Sequence, residues 1–164
     1  MNEPKKLHPL IKAEDVKKLP EQTFSHPLNP NSEIRGISLS NLVGLQRVGF
    51  HLACIPPGKE SFIYHSHEYE EEFIYILSGR GIAEIGDEEF EVGSGDFMGF
   101  PTPSVAHHLK NPFNEDLIYL MGGERREVEV ADFPRLKKRL IRTVKQVQVV
   151  DWVAMKPFMG EEQT

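Results

Sequence analysis

From residue 34 to about residue 130 the chain is a succession of short apolar runs, each cut by glycine, proline or asparagine before it reaches helical length. The pattern predicts strands at 34–40, 46–55, 61–67, 72–77, 82–85, 88–92, 97–100, 105–110 and 117–121. The breaks between them include Pro56-Pro57-Gly58, Gly79-Arg80-Gly81, Gly93-Ser94-Gly95-Asp96, Pro101-Thr102-Pro103 and Asn111-Pro112-Phe113-Asn114. Gly86-Asp87 is a two-residue hairpin signal. Many short strands at close spacing, with almost no helical periodicity, predict an all-β sandwich or barrel.

The flanks read differently. Residues 1–33 carry Pro4, Pro9, Pro20, Pro27 and Pro30, so an N-terminal arm is expected, with one helical turn at 13–19 before Pro20. The barrel is expected over 34–130 and a C-terminal extension over 131–164. Within and before that extension, 126–130 reads as a strand, 135–143 as a basic run with weak helical pattern, and 144–150 as an edge strand. Phe133, Trp152 and Phe158 are expected to anchor the tail on the barrel or on a second subunit.

At 164 residues the chain is long enough to bury one substantial core. Its formal charge of −6 argues against nucleic acid or an anionic membrane surface as the main partner. No run is apolar enough to span a bilayer, and no signal-peptide core follows Met1, so a cytoplasmic protein is expected. Cys54 is the only cysteine, which leaves histidine and carboxylate as the available ligands for any metal.

Those ligand types cluster. On a strand, side chains two apart share a face, so His65 and His67 can converge on one ion. Glu72 opens the next apolar run and can add an oxygen. It shares a face with Ile74 and Ile76, which favours it over Glu71; Glu68, Glu70 and Glu71 read as a solvated acidic loop. Further on, His107 alternates with Leu109 and His108 with Lys110. The Leu109 face should be interior, so His107 is the expected ligand and His108 an outer or surface residue. His8, His26 and His51 are isolated and read as surface or packing residues.

Taken together, the two stretches resemble the cupin superfamily. Gly58, His65, His67, Glu72 and Gly79 match its first motif in order, and Gly95, Pro101, His107 and Asn111 match its second. The resemblance spans about residues 45–122 and extends more loosely to small single-domain bacterial cupins, with a similar hydrophobic strand and Gly122-Gly123 after the second motif. It departs at the spacing from Gly58 to His65, which is one residue longer than the commoner form, and at Pro103, where glycine is usual. The resemblance implies a double-stranded β-helix jelly roll holding one divalent ion on His65, His67, His107 and Glu72. Iron, manganese, nickel and zinc all suit such a donor set, and the need for open positions leans away from tetrahedral zinc.

Fold does not fix function in this superfamily. The leading expectation is a metal-dependent enzyme acting on a small polar metabolite, as a sugar or sugar-phosphate isomerase. The alternatives are a non-haem metal oxygenase of a small acid or phenol, and a non-catalytic small-ligand-binding protein. Lys59, Arg80 and Lys110 are the basic residues nearest the motifs, and Tyr64, Glu60 and His108 the candidates for a general base. Phe73, Tyr75 and Leu77 make the second face of the 72–77 strand as apolar as the first, which predicts a homodimer contact.

Overall fold

The computed structural model describes residues 8–156, so Phe158 lies outside the described residues. The chain runs α1 (Ala13–Val16), β1 (Gln22–Phe24), β2 (Ile34–Ser38), α2 (Leu39–Val43), β3 (Val48–Ile55), β4 (Ser66–His67), β5 (Glu72–Ser78), β6 (Arg80–Ile85) and β7 (Glu88–Gly93). It continues through β8 (Phe97–Phe100), β9 (His107–Lys110), β10 (Leu117–Glu124), β11 (Glu129–Phe133), β12 (Lys138–Arg142) and β13 (Val147–Asp151).

The strands form three antiparallel sheets. A six-stranded sheet has the order β1-β2-β3-β10-β5-β8, a three-stranded sheet the order β7-β6-β9, and a four-stranded sheet the order β13-β12-β11-β4. The first two face each other across one core, in the jelly-roll manner. Ile55, Ile76, Leu117 and Tyr119 from the larger sheet meet Ala83, Val92 and Leu109 from the smaller, and each is at least nine-tenths buried. A second cluster, Ile63, Ala131 and Phe133 with Leu28 and Leu140, ties the four-stranded sheet to the barrel.

Glycine is required where strands meet a crossing backbone. At Gly79, φ is +81° and a β-carbon would lie 2.2 Å from the Asp116 carbonyl oxygen. No other residue fits there without moving β10's lead-in.

The structure corrects several strand expectations. Residues 39–43 form a helical turn rather than the end of a strand, because Leu39, Leu42 and Val43 fall at helical spacing and Gly44 closes the turn at φ +80°. Most of 61–67 is irregular: only Ser66–His67 pairs as a strand, with Ala131 and Asp132 of β11. The basic run at 135–143 is a strand, not a helix. Pro134–Leu136 makes a 3-10 turn, Lys137 takes a left-handed φ of 52°, and β12 then pairs on both edges. Across that ladder Arg139 grips Asp132 with two hydrogen bonds of 2.7 Å. The strand expected at 126–130 begins later, at Glu129, and its inward residues are Glu129, Ala131 and Phe133.

The first segment of the chain lies against the barrel. β1 pairs with the sheet edge at β2, Phe24 packs on Phe62 at 5.2 Å, and His26 meets Phe133 edge-on at 5.5 Å. No helix among the described residues is long and apolar enough to cross a membrane.

Candidate metal centre

The four expected ligands arrive on three pieces of backbone, with His65 and His67 flanking Ser66 on one of them. Glu72 opens β5 on the face shared with buried Ile74 and Ile76. His107 opens β9. His65 is joined to it by reciprocal backbone bonds, His65 N–H to His107 O at 3.1 Å and His107 N–H to His65 O at 2.8 Å. His67 sits on β4, opposite Ala131. The ligand atoms of His65, His67, Glu72 and His107 all lie within 4.8 Å of one another.

The imidazoles are oriented from behind. His65 Nδ1 donates to Ile63 O at 2.6 Å and His107 Nδ1 to Val105 O at 3.1 Å. A carbonyl oxygen only accepts, so both Nδ1 atoms carry protons and the neutral rings present Nε2 lone pairs. His67 Nδ1 meets a carboxylate instead, Glu129 Oε1 at 3.3 Å. Phe100 lies flat on the His107 ring, centroids 3.7 Å apart and planes within 9°. The outcome is convergence: Nε2 of His107, His67 and His65 lie 3.1, 3.3 and 3.8 Å from Glu72 Oε2. Atoms bound to one ion at about 2.1 Å stand roughly 3.0 Å apart at a right angle and roughly 3.4 Å apart at a tetrahedral one. The donor set and its spacing therefore fit a divalent cation.

Electrostatics agrees. Burial opposes ionisation of Glu72, yet its bonds to His107, His65 and His67 hold its pKa well below the ordinary carboxylate value. Burial lowers the His65 pKa. At His67 burial acts the same way, but Glu72 and Glu129 outweigh it and raise the pKa. Tyr119, buried nearby on β10, has its phenol pushed up by burial and then by the Glu72 charge, so it stays protonated.

The centre opens into a cavity of about 470 Å³. His65, His67 and Glu72 lie on its wall, with His26, His51, Arg125 and Arg142 around them. His26, which also packs on Phe133, and His51 are thus cavity residues rather than isolated surface histidines. Alternation already marks His51, which shares the inward face of β3 with buried Ala53 and Ile55. Glu70 is also misread as solvated. It is 8% exposed, accepts the Arg126 N–H at 2.5 Å and pairs with Arg142 of β12. Glu71 is exposed, as expected.

The base candidates lie elsewhere. His108 is buried on the far face of β9, where its Nδ1 meets Glu84 at 3.1 Å, so it is neither a surface residue nor a member of this centre. Tyr64 donates to Gly86 O at 2.8 Å beneath the Arg135 guanidinium, and Glu60 is held by Asn29 at 3.0 Å. Lys59, Arg80 and Lys110 are committed to Glu33, Glu91 and Glu84. Glu129, the residue behind His67, went unread because nothing local links it to a histidine 62 positions away.

A family model described as "Cupin domain" matches residues 51–123. A solved structure from Acidithiobacillus ferrooxidans, of a protein provisionally named a sugar phosphate isomerase, is 37% identical. The match covers 91% of this chain and 96% of that one at a TM-score of 0.88. Among curated proteins, an uncharacterized protein from Methanocaldococcus jannaschii is 38% identical over 65 residues, 40% of this chain and 50% of that protein. An oxalate-binding protein from Thermotoga maritima is 35% identical over 66 residues, 40% of this chain and 53% of that protein. The chain spans about half the length of these two curated relatives.

Proposed function

Because the chain belongs to the cupin family, we propose that it is a metal-dependent enzyme that isomerises a sugar or sugar phosphate held at the mouth of the barrel. His65, His67, Glu72 and His107 hold one divalent ion, of iron, manganese, nickel or zinc. The observation that carries this reading is the convergence of imidazole Nε2 atoms on a buried glutamate oxygen at the wall of an open cavity. An ion bound there would supply Lewis-acid polarisation of a substrate carbonyl or hydroxyl. The chain's own residues do the rest. His26 Nδ1 accepts the Leu28 N–H at 3.2 Å, so the neutral ring carries its proton on Nε2. Burial, then the neighbouring His65, lower its pKa. We assign to this ring a hydrogen bond from Nε2–H to a substrate oxygen, since its Nδ1 lone pair is taken by the Leu28 N–H. The provisional name of the Acidithiobacillus protein, 37% identical over nearly its whole length, supports the substrate class.

A test loads the protein with each metal in turn and follows hexoses and their 6-phosphates in D2O by NMR, without oxygen. Aldose–ketose exchange with deuterium entering at carbon 2 is expected, lost in His65→Ala and His107→Ala together with the ion. No metal uptake from any of the four would refute the centre. A second reading, capture of a small acid without turnover, is favoured by the similarity to the oxalate-binding protein. It predicts tight binding of dicarboxylates and no exchange. Turnover that requires dioxygen would replace both with an oxygenase.

A further inference from the structure

Arg125 is a buried-side cation with no acid to answer it. Its Nη1 donates to Asn41 Oδ1 at 2.8 Å and its Nη2 to Ser40 Oγ at 3.1 Å, while its backbone N–H bonds Arg47 O at 2.9 Å. These partners are neutral. Among the described residues no carboxylate stands within salt-bridge distance of the guanidinium, whereas the other arginine of the cavity wall, Arg142, is paired with Glu70. The helical turn α2 and the loop after it thus hold an arginine still without neutralising it. Its Nε–H takes no partner among the described residues.

That free donor lies beside Gly49. A β-carbon built on Gly49 would lie 3.2 Å from Arg125 Nε and 3.5 Å from His51 Nε2. The two nitrogens therefore stand no more than about 6.7 Å apart, a span that two oxygens of one phosphate or carboxylate can bridge. His51 hydrogen-bonds to no other described residue through its ring; burial, and then the Arg125 charge, lower its pKa. Both side chains and Gly49 line the cavity that holds the candidate metal centre.

Strand register sets the distance between the two ends. Gly49 pairs with Gly123, and Gly123 with Glu72, so two strand spacings separate Gly49 from the glutamate of the centre. That is on the order of 10 Å, the reach of a small metabolite whose one end carries oxygens for the ion and whose other end is charged.

We propose that Arg125 and His51, side by side at Gly49 on the cavity wall, form a subsite for an oxyanion, a phosphate ester or a carboxylate, at the end of the ligand remote from the metal. The guanidinium is fixed before the ligand arrives, so little ordering is needed on binding. The proposal rests on the cavity being the ligand site and deepens the sugar-phosphate reading by naming what recognises the charged end.

The test compares three hexoses that differ only at carbon 6, on metal-loaded protein by calorimetry: glucose, glucose 6-phosphate and glucuronate. Inorganic phosphate is titrated in parallel. Wild type should bind at least one charged hexose roughly 10- to 100-fold more tightly than glucose, the worth of a charge-assisted hydrogen bond. Arg125→Gln should abolish that preference while leaving metal content unchanged. Gly49→Ala, whose β-carbon would crowd Arg125 Nε at 3.2 Å without removing charge, should weaken the same preference. Phosphate ester and carboxylate are told apart by which hexose gains. If no hexose binds but inorganic phosphate does, and only with Arg125 present, the sugar reading fails and the subsite stands. If neither charged hexose nor phosphate discriminates wild type from both variants, the subsite is overturned.

Discussion

Replacing Glu129 by Gln should loosen the metal without loosening the fold. Glu129 is 1% exposed, and its Oε1 accepts from His67 Nδ1 at 3.3 Å and from the Glu68 N–H at 3.1 Å. Its Oε2 is buried without a partner. A carboxylate behind a ligand imidazole fixes the ring and makes Nε2 more electron-rich, and loss of such a partner costs 10- to 100-fold in affinity. The contact is long for an N–H···O bond, so the lower end applies: about tenfold, or about 1.4 kcal/mol. Glutamine keeps an oxygen for both N–H groups, so the metal-free melting temperature should stay near wild type. Glu129→Ala strands two buried donors, at about 1–3 kcal/mol each, and should melt lower with or without metal. The assay is competition against a chromophoric chelator, with melting curves on both metal-free and loaded protein. Equal affinity in wild type and Glu129→Gln would refute the argument. So would a further tenfold loss when Glu129→Gln is added to His67→Ala, where no ring is left to orient.

Metal affinity should fall on acidification through neutrality, because Glu72 and Glu129 raise the His67 pKa above its ordinary 6.5 and protons then compete for Nε2; affinity flat between pH 6 and 8 would contradict this. Glu84, beside Arg135, Lys110 and His108, has its pKa depressed from 4.5 to about 2 although burial opposes this. Its stabilisation is therefore full above pH 4.5 and lost as pH falls toward 2, by at most about 3 kcal/mol given that Arg135 is half exposed. Urea unfolding of Glu84→Gln should lack that acid-dependent loss, and an unchanged pH slope would sink the assignment. Gly79→Ala, driving a β-carbon to 2.2 Å from Asp116 O at positive φ, should cost about 1–3 kcal/mol or more in the same assay. Phe73→Asp with Tyr75→Asp should turn a dimer into monomer or aggregate by light scattering, since Tyr75 and Phe97 leave the outer face of the large sheet 39% and 65% exposed; a monomeric wild type would refute the dimer.

Much of this was legible because strand physics is local. Gly86-Asp87 closes the β6–β7 hairpin, Phe97–Phe100 has the expected bounds, and alternation alone puts His107 inward with Leu109. Legibility fails where a partner far along the chain decides. Residues 61–65 look like a strand, but only Ser61 and His65, at either end, bond the backbone of β9, so no ladder forms. Glu70 looks solvated until Arg142 is brought over it by β12, itself disguised by a helical-looking run of basic residues. Arg125 follows two glycines at a strand end, and only the fold shows that its guanidinium turns back to Asn41 and Ser40 rather than outward to an acid.

His107 and His108 are adjacent, and their different surroundings explain why one belongs to a metal centre. Each meets a glutamate at 3.1 Å, His107 with Glu72 of the facing sheet and His108 with Glu84 of the neighbouring strand. Glu84 also receives Lys110 at 2.8 Å and Arg135 at 2.9 Å, so the protein itself neutralises that carboxylate, and His108 has no charge to balance. Glu72 receives no lysine or arginine among the described residues. Its neighbours are imidazoles, of which His65 and His107 spend their Nδ1 protons on backbone carbonyls and turn lone pairs toward it. A buried carboxylate with only neutral rings around it costs several kcal/mol, and protonating His67 would supply a single charge against both Glu72 and Glu129. A divalent cation at the convergence point answers both carboxylates at once. The same strand therefore carries a self-sufficient ion-pair network on one face and, on the other, a site whose charge balance calls for an ion from outside the chain.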